Sequence, residues 1–303
     1  MIAFVLSGGG NRGPLEAGAL RALLERGVTP DFLVGTSAGA INACFVAAHG
    51  YAATTLDALG ERWRAVTKQA VYPGGALSIA VRVLRGKSSL FSGDGLRRLI
   101  EQSLPPDVST FGDLRMPLFV TAADLRTSRL FVFGEDPAVP LVDAVLASAS
   151  VPVIHPPVEF HGLQLVDGGV LANVAASYAM DRGAKEIYVI NVGRGEEQKP
   201  AAQGVAGVAM NAINTMTVQS LLRDLARARQ DETIDLHHIH IRAYAEASFS
   251  DFTKSDEMLE AGYQSALAYL DSPRPEWDEP DIKREAQHPV QAPGVRELVI
   301  PYP

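Results

Sequence analysis

Cysteine is nearly absent from the sequence, and this scarcity excludes a disulfide bond within the chain. Cys44 is the single cysteine among 303 residues, so it has no partner for oxidation. It lies in the apolar stretch Ala43-Cys44-Phe45-Val46, where we expect a buried and unreactive thiol. Such a chain suits a reducing compartment.

An excess of positive charge is also missing. Lys and Arg number 27 against 35 Asp and Glu, which gives a net charge of -8. Nucleic-acid binding rewards clustered basic side chains, and anionic lipid attracts them in the same way. We therefore expect no nucleic-acid partner and no membrane docking by charge alone.

Long hydrophobic runs are lacking too, although 47% of the residues are hydrophobic. No segment reaches the roughly 18–20 apolar residues of a membrane-spanning helix. The first apolar run has no basic segment before it and stops at Ser7-Gly8, so no signal peptide is predicted. These features predict a cytoplasmic protein whose contact with membranes is peripheral at most.

The apolar residues form short runs that alternate with longer helical patterns. Continuous short runs are typical of buried parallel strands, and they occupy residues 2–6, 32–34, 117–123, 130–133, 186–192 and 236–241. Helical patterns occupy residues 14–26, 38–48, 56–66, 95–103, 141–148, 173–182, 205–229 and 255–270. This alternation predicts an α/β fold with a mainly parallel sheet. We assign residues 1–270 to one domain and the Pro-rich residues 271–303 to a C-terminal tail.

One short motif places a serine between a predicted strand and a predicted helix. It is the pentapeptide Gly35-Thr36-Ser37-Ala38-Gly39. Glycines permit a sharp turn where a Cβ atom would clash, and the helix that follows presents free N–H groups to developing negative charge. A nucleophile elbow requires this context, so Ser37 is the predicted nucleophile. A glycine-rich turn without chemistry is the alternative.

A glycine-rich loop follows the first strand directly. Its residues are Gly8, Gly9, Gly10, Asn11, Arg12 and Gly13. Backbone N–H groups in such a loop can bind an anion, which in an acyl hydrolase is the oxyanion of the tetrahedral intermediate. The same glycines satisfy the G-x-G-x-x-G pattern of dinucleotide-binding proteins. That alternative needs an acidic residue at the end of the second strand, whereas Asp31 precedes the strand.

Two kinds of side chain compete for the role of general base. Asp167 follows an apolar run and precedes Gly168 and Gly169. A partly desolvated Asp167 would take the proton of Ser37, and the alternative for this motif is an Asp-Gly hairpin turn. A histidine late in the chain is the other candidate base, as in esterases of the Ser–His–Asp type, although Ser37 follows only one earlier strand and fits that layout poorly. The histidines in question are His237, His238 and His240.

Taken together, the loop at residues 8–13, the elbow at residues 35–39 and the aspartate motif at residues 167–169 resemble the patatin-like phospholipase family. The stretches at residues 91–96, 117–129 and 147–158 are similar to further recurring pieces of that family. The likeness extends over roughly residues 2–270, and the three motifs together are far more specific than any one of them.

The resemblance implies a three-layer α/β/α sandwich and the hydrolysis of fatty acyl esters of lipids, with no metal or other cofactor. Carried over residue by residue, Ser37 is the nucleophile, Asp167 is the base, and no histidine takes part. The N–H groups around Gly9 and Gly10 form the oxyanion hole. The family often has an apolar residue at the position of Asn11, so the loop differs in detail here.

A lipid substrate also needs an apolar landing surface. Residues 71–92 mix glycine, apolar and basic side chains with weak periodicity, and we expect them to form a cap or lid over the site. The candidate lipid contacts are Leu77, Ile79, Val81, Val83 and Leu84.

Overall fold

A mixed sheet forms the centre of the molecule, and the computed structural model describes residues 1–193 and 204–273. Its strands are β1 (Ile2–Leu6), β2 (Phe32–Gly35), β3 (Leu118–Asp124), β4 (Arg129–Phe133), β5 (Val158–Phe160), β6 (Leu163–Asp167), β7 (Glu186–Asn191) and β8 (Asp235–His240). Hydrogen-bonded neighbours follow the path β5-β6-β3-β2-β1-β7-β8, in which β6 and β2 share one edge of β3 and β4 pairs with its other edge. The neighbouring strands β3, β2, β1, β7 and β8 are parallel to one another. β4 and β6 pair with β3 in antiparallel fashion, and β5 pairs with β6 in the same way.

Helices cover both faces of this sheet. They are α1 (Gly13–Glu25), α2 (Ala38–His49), α3 (Ala53–Ala65), α4 (Lys68–Val71), α5 (Ala76–Leu84), α6 (Asp94–Glu101), α7 (Leu141–Ser148), α8 (Ala176–Asp181), α9 (Gly204–Gln230) and α10 (Ser255–Asp271). Side chains alternate along β1, so that Phe4 and Leu6 join the core with α1, α2, α7 and α10, while Ala3 and Val5 pack with α8. The predicted three-layer sandwich is confirmed.

Strand β3 aligns the ends of two other strands along one of its edges. Its first half pairs with β2, where Gly35 lies opposite Val120, and its second half pairs with β6, where Asp167 lies opposite Ala122. Because β2 runs parallel to β3 and β6 runs antiparallel, the two strands approach each other and their C-terminal ends meet. The residues that follow β2 and the end of β6 therefore come together beside Thr121.

The first and last helices cross at unusually close range. A Cβ atom at Gly18 of α1 would lie 2.0 Å from the carbonyl oxygen of Leu259, and one at Gly262 of α10 would lie 1.9 Å from that of Leu15. Neither glycine leaves room for a side chain, so the two backbones pack against each other. Cys44 is buried in α2, and burial raises the pKa of its thiol to about 12, as expected for an unreactive cysteine.

The predicted elements are present, with ends that differ by up to three residues, but the hairpin of β5 and β6 is not predicted. These strands are three and five residues long, too short for a clear pattern. Their turn lies at His161 (φ 47°) and Gly162 (φ 82°). The alternative that Asp167 forms an Asp-Gly hairpin turn is therefore wrong, since β6 ends there in a short 3-10 turn over Gly168–Val170.

Two other parts of the chain bear on the sequence predictions. The predicted cap at residues 71–92 contains α5, which is followed by residues in extended contact with Val153 and Ile154. Residues 274–303 of the predicted tail lie outside the described residues. Within residues 1–193 and 204–273, no helix combines the length and the apolar composition needed to cross a bilayer.

The carboxyl group of Glu16 is buried under the first turn of α1. Asn42 Nδ2 donates to Glu16 Oε2 at 2.9 Å, and Ser7 Oγ lies 3.5 Å from Oε1. Trp63 Nε1 donates to Asn42 Oδ1 at 2.8 Å, while Ser7 Oγ accepts the N–H of Val192 at 2.9 Å. Burial raises the pKa of Glu16 well above its ordinary value, so this network favours the protonated acid.

We expect Glu16→Gln to flatten the dependence of stability on pH. The raised pKa means that the folded protein keeps a proton that the unfolded chain releases, so the free energy of unfolding is highest below the ordinary Glu range and falls as the pH rises toward the folded-state pKa. A glutamine has the same shape and does not ionise. Between about pH 5 and about pH 8, the urea midpoint of the wild type should fall more than that of the variant.

The matched control is Glu232→Gln, which changes an exposed glutamate and should leave the pH dependence as it is. Equal falls for the wild type and Glu16→Gln would contradict the buried, protonated Glu16.

Candidate active site

Ser37 stands at the turn between β2 and α2 and has a strained backbone. Its φ is 55° and its ψ is -118°, a combination that residues with a side chain rarely adopt. Close backbone packing imposes this turn. A Cβ atom at Gly35 would lie 2.6 Å from the Cα of Ala40, and one at Gly39 would lie 2.4 Å from the carbonyl oxygen of Leu6. The local geometry is that of a nucleophile elbow.

Asp167 is placed beside Ser37 by the meeting of β6 and β2. Its Oδ1 accepts the N–H of Gly169 at 2.8 Å, and its own N–H donates to the carbonyl of Ser150 at 2.9 Å. Burial raises the pKa of Asp167 to about 6, and hydrogen bonds from the Ser37 hydroxyl and the Gly169 amide act against that rise. A carboxylate with this pKa is suited to accepting a proton near neutral pH.

The glycine loop passes directly beside Ser37. A Cβ atom at Gly8 would lie 3.2 Å from the Cβ of Ser37, and Gly10 has a φ of 61°, which favours glycine. Among the residues that the structure describes, the N–H groups of Gly9, Gly10 and Ala38 donate to no acceptor. Free amides next to a serine are the donors that an oxyanion hole requires.

The side chain of Asn173 joins the glycine loop to the aspartate motif. Its Oδ1 accepts the N–H of Gly8 at 3.0 Å, and its Nδ2 donates to the carbonyl of Gly8 at 3.4 Å. A Cβ atom at Gly169 would lie 3.0 Å from Oδ1, and one at Gly193 would lie 2.9 Å from Nδ2. A trans peptide holds its C=O and N–H on opposite sides, so fixing the Gly8 carbonyl also fixes the direction of the Gly9 N–H.

The other residues of the motifs attach these segments to their surroundings. Asn11 Nδ2 donates to the carbonyl oxygens of Ser248 and Asp251 at 2.9 and 2.5 Å. Arg12 Nε donates to the carbonyl of Gly9 at 3.4 Å. Gly13 packs on the ring of Trp63, and Gly168 packs on Thr121. The hydroxyl groups of Thr36 and Thr121 form a hydrogen bond, with their Oγ1 atoms 2.7 Å apart.

Two residues of the site do not stand out in the sequence. Asn173 falls within the predicted helix at residues 173–182, whereas α8 begins at Ala176 and Asn173 precedes it. Ser148 is the last residue of α7, and its Oγ accepts the N–H of Ser37 at 2.9 Å. The available signals are an asparagine soon after the aspartate motif and a serine pair, Ser148 and Ser150, in the stretch at residues 147–158.

The three histidines of β8 are not brought to Ser37. His237 stacks on Tyr188 with ring centroids 4.2 Å apart, and His238 Nε2 lies 3.1 Å from Asn191 Nδ2. His240 Nε2 lies 3.4 Å from the carbonyl of Gly193. β1 and β7 separate β8 from β2, which is about 14 Å at about 4.8 Å per strand. The Ser–His–Asp alternative with these histidines therefore finds no support in the sheet order.

The dinucleotide alternative also lacks the acidic residue that it needs. Asp31 lies at the other end of β2, before its first residue, where its carboxylate accepts the N–H of Ile2 at 2.7 Å. The C-terminal end of β2, where a ribose would be bound, leads instead into Ser37.

The predicted cap lies next to segments that touch the site. The N–H groups of Leu90 and Phe91 donate to the carbonyls of Val153 and Ile154 at 2.8 and 2.9 Å, shortly after α7. Tyr72 contacts Phe249, with ring centroids 5.6 Å apart, in the loop whose carbonyls bind Asn11. Residues 71–92 therefore adjoin both the α7 side and the glycine-loop side of the site.

Known proteins share this sequence pattern. The family model named Patatin-like phospholipase matches residues 4–180. The chain is 29% identical over 292 residues to Patatin-like phospholipase domain-containing protein 7 of Mus musculus, and 24% identical over 304 residues to Lysophospholipase NTE1 of Mycosarcoma maydis. These alignments cover 89% and 91% of this chain but only 20% and 15% of the relatives. The chain thus spans a fifth or less of the length of these relatives.

A solved structure shares the fold. Human GIVD cytosolic phospholipase A2, in complex with methyl γ-linolenyl fluorophosphonate, gives a TM-score of 0.50 at 12% identity, over 90% of this chain and 58% of that one. VipD from Legionella pneumophila gives 0.47 at 16% identity, over 89% of this chain and 66% of that one. Because the family model matches more than half of the residues, the chain belongs to the patatin-like phospholipase family.

Proposed function

We propose that the chain is a lipid acyl hydrolase in which Ser37 is the nucleophile and Asp167 is the general base. One observation carries this proposal. A buried serine with a strained backbone stands beside a buried carboxyl group whose pKa is raised to about 6, and the interaction with the serine hydroxyl opposes that rise. Membership of the family, and relatives named as phospholipases and a lysophospholipase, support fatty acyl esters of lipids as substrates.

The proposed first half-reaction acylates Ser37. Its Oγ attacks the ester carbonyl carbon while its proton passes to the Asp167 carboxylate, and the carbonyl electron pair moves onto oxygen. The N–H groups of Gly9 and Gly10 stabilise that oxyanion, where the loss of one donor typically costs about 3–4 kcal/mol. The intermediate then expels the alcohol, which leaves with the proton from Asp167.

The proposed second half-reaction releases the fatty acid. Asp167 takes a proton from a water molecule as the water oxygen attacks the acyl-Ser37 carbonyl. When the second intermediate collapses, the bond to Ser37 Oγ breaks and the proton returns to that oxygen. The same groups therefore serve both halves, and neither half requires a metal or another cofactor.

Ser37→Ala and Asp167→Asn should each lower kcat/KM on a soluble short-chain ester by roughly 1000-fold or more, because they remove the nucleophile and the base. In the wild type, kcat/KM should rise with pH and level off above about 6, since Asp167 accepts a proton only when it is ionised. A fluorophosphonate probe followed by peptide mapping should label Ser37.

His240→Gln is the control for the histidine alternative and should keep most of the activity. Substantial turnover by Ser37→Ala, or a loss with His240→Gln as large as with Asp167→Asn, would refute the Ser–Asp dyad. Circular dichroism of each variant separates a lost active site from a lost fold.

Asn173 is proposed as a positioning residue for the oxyanion hole. It touches no substrate atom in this scheme, but its amide holds both polar groups of Gly8 and thereby aims the Gly9 N–H. Displacement of reacting groups by about 1 Å can lower a rate about 100-fold. Loss of Asn173 should therefore lower kcat and leave substrate binding unchanged.

Asn173→Ala should lower kcat by roughly 10- to 100-fold with little change in KM. Its pH profile should still level off above about 6, since Asp167 keeps its own surroundings. Asn211→Ala, on α9, is the control and should behave like the wild type. An increase of KM alone would show that Asn173 acts on binding instead of on the loop.

Helix α5 is proposed as the part of the cap that contacts a lipid surface. Ile79 packs against the cluster of Val71, Tyr72, Phe91 and Ile154, and Arg82 donates to the carbonyls of Ser89 and Phe91 at 3.1 and 3.0 Å. With this side anchored, Leu77 and Leu84 are left 79% and 86% exposed. Their spacing of seven residues puts them on one face of the helix. That the protein is cytoplasmic and binds membranes peripherally stays a prediction, and the exposed leucines of α5 are consistent with it.

The double variant Leu77→Ser and Leu84→Ser should lower activity on lipid vesicles by about tenfold or more, because two leucine side chains no longer leave water. Activity on a soluble short ester should stay near that of the wild type. Leu125→Ser changes another leucine, 50% exposed, in the turn between β3 and β4, and should affect neither assay. Equal losses on both substrates would argue against a lipid-contact role.

A further inference from the structure

A cleft lies between α2, α3 and α6, and neither Ser37 nor Asp167 is among the residues that line it. Its volume is about 240 Å³. The floor is formed by buried apolar side chains, Phe45, Leu59 and Trp63, and half-buried Leu99 forms one wall. An open cleft with an apolar floor favours a ligand that has a hydrophobic part.

The rim of this cleft carries positive charge. Arg62 and Arg98 both line it and both are exposed, and none of its described lining residues is Asp or Glu. Arg62 donates to the carbonyl of Gln102, and Arg98 has no side-chain hydrogen bond or ion pair with any described residue. In a chain of net charge -8, two arginines above an apolar floor complement an anion that ends a hydrophobic chain.

We propose that the cleft is a binding site for a free fatty acid, separate from Ser37, with the carboxylate on Arg98 and Arg62 and the alkyl chain over Trp63. A guanidinium group matches a carboxylate with two parallel hydrogen bonds. The apolar floor below the two arginines can hold the alkyl chain of such an acid. The arginine rim therefore selects the carboxylate of the ligand, and the apolar floor selects its alkyl chain.

The cleft is in direct contact with the support of the glycine loop. Trp63 Nε1 donates to Asn42 Oδ1 at 2.8 Å, and Asn42 Nδ2 donates to the carbonyl of Gly13 at 3.0 Å. A Cβ atom at Gly13 would lie 2.1 Å from the Trp63 ring, so the ring separates the cleft from the end of the loop. A ligand in the cleft lies against the same ring. Only the source of the acid, as the product of acyl-ester hydrolysis, rests on the proposed function.

Trp63 also provides the measurement. The sequence has two tryptophans, Trp63 and Trp277, so Trp277→Phe leaves Trp63 as the reporter. In a protein that also carries Ser37→Ala, decanoate below its critical micelle concentration should change Trp63 fluorescence in a saturable manner. Across fatty acids of increasing length, affinity should rise about fourfold for each buried methylene and level off once the chain extends beyond the cleft.

The charged rim is tested with matched variants. Arg98→Ala should weaken decanoate binding about tenfold or more, Arg98→Lys should keep part of the affinity, and Arg129→Ala, which changes an exposed arginine of β4, should have no effect. Decanol and a lysophosphatidylcholine of the same chain length should bind more weakly than decanoate. Undiminished binding by Arg98→Ala, or equal binding of decanol or of the lysolipid, would overturn the proposal.

Binding by the Ser37→Ala protein does not require hydrolysis. A failure to bind fatty acid therefore leaves the proposed hydrolase activity untouched, and a failure of hydrolysis leaves the binding measurement valid.

Discussion

Two strands that run toward each other along one edge of β3 set the distance between Ser37 and Asp167. β2 ends opposite Val120 and β6 ends opposite Ala122. The pairing of both strands with β3 therefore sets the separation of Ser37 and Asp167, independently of the contacts that their side chains make. A shift of β6 by one residue would turn Asp167 to the other face of the sheet. The tight turn at Ser37 and the hydrogen bonds of Asn173 to Gly8 then fix the orientation of groups whose separation the strand pairing already sets.

Asp167 and Glu16 are both buried, and their surroundings differ. Asp167 receives hydrogen bonds from the Ser37 hydroxyl and the Gly169 amide, and its pKa is raised only to about 6. Glu16 is enclosed by Asn42 and Ser7, and burial dominates its pKa. Donors act against the rise of the pKa at both carboxyl groups, but burial outweighs them far more at Glu16 than at Asp167, so Glu16 favours the neutral acid while Asp167 stays available as a base. The Glu16 network includes Ser7, and the next residue, Gly8, is held by Asn173 beside Ser37. The structural network around Glu16 therefore adjoins the catalytic pair.

Much of the site could be predicted because its residues lie in short, contiguous motifs. The strand-to-helix turn around Ser37 and the loop after β1 depend on local backbone geometry, which glycines reveal in the sequence. Asn173 and Ser148 could not be found in this way, because their roles arise from contacts with residues far away in the chain. The ends of helices were predicted within a few residues, but a helix pattern that included Asn173 concealed the turn in which it acts.

The unpredicted hairpin of β5 and β6 has the same cause. Strands of three and five residues carry little periodic signal, and their existence depends on pairing with β3. Asp167 was therefore identifiable by its neighbours Gly168 and Gly169, but not by the strand that places it. The cap region was similarly recognisable by composition, whereas the anchoring of α5 through Ile79 and Arg82 is a tertiary feature.

The backbone contact between α1 and α10 has a consequence for where the foldable unit ends. The residues matched by the family model stop at 180, yet Gly262 of α10 rests on the backbone of α1, and β7 pairs with β1 in the interior of the sheet. A protein truncated near residue 180 would leave one edge of β1 unpaired and an apolar side of α1 uncovered, which are features that promote aggregation. We therefore expect the smallest autonomous unit to extend through α10, well beyond the segment that carries the motifs.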